Sequence, residues 1–198
     1  MTTKTHITTG VALTILITQP ENIKYLTLSL AGTIIGSVIP DIDSKNSEAN
    51  QIFDKVLITT SLTIILCFIL EYFFNIGIYR IITKKNNIDS ILFSALLFFI
   101  MCLIGSRTHH RAFTHSIIGL LIYSSILYTL PNIFIYSFII GYLSHIILDL
   151  FNHKGLKLFY PIKKRLCFNL CDSDGIINNI LFYLSSIASL IILIIYCT

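Results

Sequence analysis

Seven apolar runs follow one another along the chain, and short polar segments separate them. They cover residues 7–19, 23–39, 56–79, 88–106, 115–130, 132–150 and 177–197. A helix needs about 20 apolar residues to cross a bilayer, so the longer runs are predicted to be transmembrane helices. The first run is short and could enter the membrane without crossing it. The pattern therefore predicts an all-α, polytopic membrane helix bundle with six or seven transmembrane helices, forming a single domain over residues 1–198.

Composition excludes several other classes of protein. The chain is 55% hydrophobic and only 12% charged, which is typical neither of a soluble globular protein nor of a disordered one. It contains no long basic tract and no aromatic RNA-binding motif, so no nucleic-acid partner is predicted. Cys167 and Cys171 have CxxxC spacing, which favours free thiols in a reducing compartment over a redox or zinc motif.

Basic residues predict the orientation in the membrane, because Lys and Arg are enriched in cytoplasmic loops. With seven spans and a cytoplasmic N-terminus, ten basic residues face the cytoplasm and four face outward. The inner set is Lys4, Lys45, Lys55, Arg107, Arg111, Lys154, Lys157, Lys163, Lys164 and Arg165. The outer set is Lys24, Arg80, Lys84 and Lys85. This imbalance predicts a cytoplasmic N-terminus.

Four short polar clusters interrupt the apolar pattern, at residues 5–6, 40–43, 110–116 and 145–149. Ionisable groups near lipid are costly and usually functional. In the predicted topology all four clusters lie at the cytoplasmic ends of helices, so they converge on one membrane face. His6 alone would be unremarkable, and it becomes a candidate only through this convergence.

Two of the clusters combine acidic residues with helix geometry. His145 and Asp149 are four residues apart, so they project from one helix face and could share a metal ion. They could equally be a polar pair satisfied between helices. Asp41 and Asp43 follow Pro40, where a helix is expected to end or kink. They could ligate one ion, bridge two ions, or simply be solvated turn residues.

The cluster at 110–116 is the densest. Thr114 is a predicted N-cap for the fifth helix, which would place His115 in the first helical turn. The helix dipole there favours a neutral imidazole and a bound anion. Arg111 is suited to clamp a phosphate or carboxylate with two hydrogen bonds. The alternative is a basic loop that contacts lipid headgroups.

A His and Asp ligand set without thiolates suits zinc, and also manganese or iron. The candidates exceed the three or four protein ligands typical of one zinc ion, so one or two divalent ions are predicted. A metal ion would convert water into a nucleophile near neutral pH. An unligated Asp41 or Asp43 could then act as general base.

The segment 157–165 is basic, with interleaved aromatic residues. It is typical of a segment that lies against anionic lipid headgroups. Alternatively, it binds the phosphate of a substrate through Lys163, Lys164 or Arg165.

These motifs together resemble a known family. TH at 5–6, GxxxPDID at 36–43, HRAFTHS at 110–116 and GYLSHIILD at 141–149 are similar, in the same order, to the YdjM-like membrane-bound metal-dependent hydrolases. The resemblance covers nearly the whole chain and implies a polytopic prokaryotic inner-membrane protein. It implies a site formed by His6, Asp41, Asp43, His110, His115, His145 and Asp149. It also implies that Arg111 supports this site or binds the substrate.

Three functional hypotheses follow. The leading one is a metal-dependent hydrolase at the cytoplasmic face, acting on an ester or phosphoester, including one carried by a membrane lipid. The second is a divalent-metal or proton-coupled transporter, which would hold its ligands near the bilayer midplane. The third treats the polar residues as contacts between helices, and predicts scattered pairs without a common centre. No oligomeric state is predicted.

Overall fold

The computed structural model describes residues 1–44, 47, 50–56, 59 and 88–197. The described α-helices are α1 (Thr3–Thr18), α2 (Ile23–Val38), α3 (Ile88–Ser106), α4 (Ile117–Ile126), α5 (Asn132–Leu150) and α6 (Ile176–Cys197). Short 3-10 helices extend α2 over Ile39–Asp43 and α4 over Leu127–Thr129. This part of the chain contains no named strand, and the all-α prediction is confirmed. The predicted helix over 56–79 lies almost entirely outside the described residues.

Within the described ranges, three helical segments are long and apolar enough to cross a membrane: Ile23–Asp43, Asn132–Leu150 and Ile176–Ile194. Two shorter apolar helices, Phe93–Ser106 and Ile117–Thr129, accompany them. Helix α1 has 16 residues and is about 24 Å long, which is less than the roughly 30 Å of a bilayer core. The described helices are thus those of a membrane protein.

Glycines let α2 and α5 pack closely. A Cβ atom on Gly36 would collide with the backbone carbonyl of Phe138, and one on Gly141 would collide with the carbonyl of Thr33. Small residues that bring backbones together in this way are typical of helix contacts in membranes. Because the two helices are close and parallel, the end of α2 lies beside the last turns of α5. This contact brings the polar residues of both helices together.

The start of α4 differs from the prediction. Its N-cap is Ser116, whose hydroxyl accepts a hydrogen bond from the Gly119 N–H at 3.0 Å. Thr114 does not cap the helix, because its hydroxyl donates to Asp43 at 2.6 Å instead. The prediction that Thr114 is the N-cap was therefore wrong, and His115 precedes the helix rather than lying in its first turn.

A single end of the bundle collects the polar clusters. Helices α1, α4 and α6 begin there, and α2, α3 and α5 end there. Farther from that end the interior contains the fully buried aromatic residues Tyr123, Phe138 and Tyr142, together with small buried polar residues such as Thr14 and Thr33. The convergence that the sequence predicts is present among the described residues.

Candidate metal centre

Four of the predicted residues form a compact group. Asp41, His115, His145 and Asp149 each offer one ligand atom, and these atoms all lie within 4.8 Å of one another. Asp41 Oδ1 is 3.5 Å from His115 Nε2 and 3.6 Å from His145 Nε2. Asp149 Oδ2 is 3.7 Å from His115 Nε2. Two imidazoles and two carboxylates thus point toward one centre, and this group could hold a metal ion.

The imidazole nitrogens at this centre supply the test of fit. The Nε2 atoms of His6, His115 and His145 are buried and have no hydrogen-bond partner among the described residues. A buried polar atom without a partner costs about 1–3 kcal/mol, so three of them in one place require an explanation. A divalent cation bound between these nitrogens and the neighbouring carboxylates would satisfy them, because neutral imidazole and carboxylate are good ligands for zinc.

The tautomer of His145 agrees with this reading. Its Nδ1 lies 2.7 Å from the Ser37 carbonyl oxygen, so Nδ1 must carry the proton and donate it to that oxygen. In a neutral imidazole the lone pair is then on Nε2, which faces the centre. Metal-binding histidines are commonly held by such a hydrogen bond from the other ring nitrogen.

Asp43 lies behind the centre rather than in it. Its Oδ2 accepts hydrogen bonds from Thr114 Oγ1 at 2.6 Å and from the Arg111 N–H at 2.9 Å. The same oxygen is 3.4 Å from His115 Nδ1. Its Oδ1 is 2.8 Å from His110 Nδ1. The geometry of Asp43 is that of a carboxylate that orients His115, and the four-residue group does not include it.

The carboxylates give the centre a negative field. His115 precedes α4 and lies outside the apolar helices. Burial lowers the pKa of its imidazole, but the nearby Asp41 and Asp43 carboxylates outweigh burial and raise the pKa to about 10. The surroundings of His115 therefore favour a cation strongly, and a bound proton and a bound metal ion would compete for the same place.

His6 borders the group. Its ring stacks on that of His145, with ring centroids 3.7 Å apart and planes inclined by 16°. Its Nε2 lies 3.3 Å from Asp149 Oδ1, and its side chain is buried. His6, in the first turns of α1, therefore lies next to the four-residue group. His110 is more peripheral, since its side chain is 44% exposed and its contact in the cluster is Asp43.

Arg111 is held by its backbone as well as its side chain. Its φ of 61° lies in the left-handed region, which non-glycine residues rarely adopt and which is often found at functional sites. Its carbonyl accepts a hydrogen bond from the Lys157 N–H at 3.1 Å. Its Nη2 is 3.0 Å from Asp149 Oδ2, whereas Nε and Nη1 have no hydrogen-bond partner in the part of the chain that the structure describes. These two nitrogens carry three N–H groups, which therefore remain for an anion.

A polar cavity of about 750 Å³ gives access to the centre. Asp41, Asp149, His110 and Arg111 are among its lining residues. Lys4 and Lys154 also line this cavity. The sequence analysis names them only among the basic residues that are predicted to face the cytoplasm. The predicted substrate-binding residues of the interfacial segment are exposed and lie outside the described lining of this cavity; they are Lys163, Lys164 and Arg165.

Sequence reasoning missed three contributions to the centre. The first is the buried Met1 ammonium group, which donates to Asp149 Oδ1 at 2.8 Å. Asn152 is buried and donates from Nδ2 to Asp149 Oδ1 at 2.7 Å. Its position three residues after Asp149, at the end of the same helix, is the signal that could have identified it. The backbone carbonyl of Ser37 accepts a hydrogen bond from His145. Every residue has a backbone carbonyl, so the residue type alone could not identify this contact.

The fold and the site define a class: a membrane protein of apolar helices with a buried His and Asp group that could hold a metal ion. Over residues 1–198 the chain matches the family described as YdjM inner membrane protein, and it belongs to that family. The predicted resemblance is thereby confirmed. No curated protein and no solved structure matches the chain.

Proposed function

We propose that this protein is a metal-dependent hydrolase that acts at the cytoplasmic face of the inner membrane on an ester or phosphoester. One observation supports the proposal above all: three buried imidazole Nε2 atoms, which have no hydrogen-bond partner within the described part of the chain, lie beside the Asp41 and Asp149 carboxylates. Structural contacts between helices would normally leave such atoms satisfied.

In this proposal Asp41, His115, His145 and Asp149 hold a divalent ion, with zinc preferred and manganese or iron as alternatives. A bound metal ion supplies acidity, since it lowers the pKa of bound water to roughly 7 and polarises the substrate oxygen. His6 stacks on His145 and lies beside Asp149, so these two residues would contribute to a second ion if the site holds two.

The residues around the ion have distinct proposed roles. Asp41 lines the cavity, and its Oδ1 is the oxygen that faces His115 and His145, so its other carboxylate oxygen is the one proposed to accept a proton from water. Asp43 binds His110 Nδ1, which leaves Nε2 of this cavity-lining imidazole to exchange a proton with the leaving group. The free donors of Arg111 bind a negatively charged oxygen of the substrate.

We also propose seven membrane segments with the N-terminus in the cytoplasm. The ten basic residues predicted on one side support this orientation. The candidate centre lies at the same end of the bundle as the segment between α5 and α6, which carries Lys157, Lys163, Lys164 and Arg165. That segment would then rest against anionic headgroups of the inner leaflet.

The depth of the site favours an enzyme over a transporter. His145 and Asp149 occupy the last turns of α5, and Asp41 follows the end of α2. A coupled transporter is expected to bind its ions near the midplane, on interrupted helices. Ligands at helix ends suit a reaction whose substrate comes from the interface.

The proposal is tested with two matched double variants of the full chain. His145→Ala with Asp149→Ala should lose the metal ion and the metal-dependent activity while the helix content by circular dichroism is retained. His153→Ala with Asp172→Ala is the control, because these residues form an exposed pair outside the group, with 3.3 Å between Nε2 and Oδ1. Metal is counted by elemental analysis, and activity is screened on para-nitrophenyl phosphate and para-nitrophenyl butyrate with and without chelator. Equal metal content in both folded variants would refute the site.

A further inference from the structure

A second cavity adjoins the polar one. It is a groove of about 580 Å³ between α1, α2, α3 and the helical residues 50–56. Among the described lining residues only Thr3, Lys4 and Ser94 are polar. Thr3 and Lys4 line both cavities, so the apolar groove adjoins the polar cavity at the candidate metal centre.

The groove follows the helices into the membrane. Along α3 it extends from Cys102 back to Ile91, roughly 16 Å at 1.5 Å per residue. Half of a hydrocarbon core about 30 Å thick is one leaflet, so the groove has the depth of a single leaflet. Ile34, Ile35 and Ile91 line the groove and are exposed, so among the described residues the groove is open at these positions.

The change from polar to apolar lining is abrupt. Asp41 lines the polar cavity, whereas the next residue, Ile42, lines the groove. The polar cavity is lined by the cations Lys4, Arg111 and Lys154 and by the carboxylates Asp41, Asp149 and Asp174. Asp41 and Asp149 belong to the candidate metal group, so a divalent ion bound there would leave the lining with a net positive charge. A molecule that fills both cavities therefore needs a negatively charged end and a hydrocarbon chain about one leaflet long.

We propose that the substrate of this site is an anionic membrane lipid. Its hydrocarbon chain lies in the groove, and its charged headgroup lies in the polar cavity against Arg111, Lys4 and Lys154. This inference rests on the proposed hydrolase function, since it places the headgroup at the candidate metal centre. It narrows the substrate from esters and phosphoesters in general to those carried by a lipid.

The chain contains no tryptophan, so a single introduced Trp reports lipid contact without background. Phe99→Trp places the probe in the groove. Phe93→Trp is the matched control on the same helix, because Phe93 is 62% exposed and is not among the described groove residues. Each variant of the full chain is titrated in detergent with phosphatidic acid carrying brominated acyl chains, which quench Trp fluorescence on contact.

We expect quenching of Phe99→Trp to saturate at one lipid per chain, and quenching of Phe93→Trp to rise in proportion to lipid without saturating. Brominated phosphatidylcholine, which has no net charge, should give no saturable phase. Adding Arg111→Gln to Phe99→Trp should raise the half-saturating concentration about tenfold, through loss of charged hydrogen bonds. Ala95→Phe, which fills the groove, should abolish saturation.

Three results would overturn the inference. Identical quenching at both positions would mean non-specific lipid around the helices, and equal saturation by both lipids would remove the role of the charged headgroup. Protection of Phe99→Trp from all lipid in a dimeric protein would mean that a second copy covers the groove. Metal content and cleavage of para-nitrophenyl phosphate are measured on the same samples. If these persist without saturable quenching, only the lipid inference fails; if saturable quenching persists without metal, the hydrolase proposal fails instead.

Discussion

The role of Asp43 leads to the sharpest prediction about the centre. If Asp43 orients His115 from behind, Asp43→Asn should weaken metal binding without removing it. The substitution keeps the shape of the side chain but replaces one accepting oxygen with an NH₂ group. The Asp43→Asn variant therefore distinguishes two roles of Asp43: a carboxylate that positions a metal ligand, and a carboxylate that is itself a metal ligand.

The magnitude follows from the contacts of this side chain. Four neighbours surround the Asp43 carboxylate: the Thr114 hydroxyl, the Arg111 N–H, His110 Nδ1 and, at 3.4 Å, His115 Nδ1. An amide retains one accepting oxygen, so at least one of these contacts is lost. A lost hydrogen bond to a charged group costs about 1.5–3 kcal/mol, and loss of a partner that orients a metal ligand typically weakens metal affinity by about 10- to 100-fold.

The assay is a competitive titration of purified full-length protein with zinc and a chelator of known affinity. Asp43→Asn should bind the same number of ions as the parent, about 10- to 100-fold more weakly. His145→Ala, which removes a proposed ligand, should lose more. If roughly 12 kcal/mol of binding is shared among four ligands, each contributes about 3 kcal/mol, or more than 100-fold. Asp172→Asn serves as the surface control, because that side chain is 82% exposed.

Two outcomes would refute the reasoning. Unchanged affinity in Asp43→Asn would mean that the contact with His115 does not support the site. A loss as large as that of His145→Ala, with fewer ions bound, would mean that Asp43 is itself a ligand. Circular dichroism and thermal unfolding of each variant show whether a loss reflects the site or the fold.

Two further predictions concern topology and packing. A membrane-impermeant maleimide should label exposed Cys167 in inverted vesicles and not in intact spheroplasts, with Cys167→Ser defining the background; labelling from outside would reverse the proposed orientation. Gly36→Ala should lower the free energy of unfolding by about 1–3 kcal/mol in a detergent unfolding titration, because the added methyl group meets the Phe138 carbonyl. Gly175→Ala is the control, since the nearest neighbour of its new Cβ would be 3.5 Å away. Equal stability of both variants would contradict the close packing of α2 and α5.

Periodicity and chain order were enough to locate the elements of the site. The four-residue spacing of His145 and Asp149 predicts a shared helix face, and both side chains do point to the same centre. Pro40 predicts the end of α2, and the 3-10 turn that holds Asp41 begins there. Alternation of the helices across the membrane then predicts that these ends meet.

The division of roles within the clusters could not be predicted in the same way. Thr114 and Ser116 are equally good N-caps by residue type, and the choice depends on Asp43, which is distant in sequence and binds the Thr114 hydroxyl. Asp41 and Asp43 are likewise equivalent by type. Their roles differ because Asp41 faces the cavity, whereas Asp43 is surrounded by hydrogen-bond donors. Such choices are made by tertiary contacts, which a local pattern does not contain.

The placement of the centre at helix ends also bears on how the chain is made. About 100 residues separate Asp41 from its partners on α5, which is roughly 5–20 s of synthesis at bacterial rates. During that interval the carboxylates have none of the imidazoles of α5 beside them. At the membrane surface these carboxylates can remain hydrated until α5 has been synthesised. At the midplane, each carboxylate would have to be inserted into the bilayer at a cost of about 3 kcal/mol. A centre assembled from four distant segments is therefore compatible with insertion of one helix after another, because its charges stay in water until the last partner arrives.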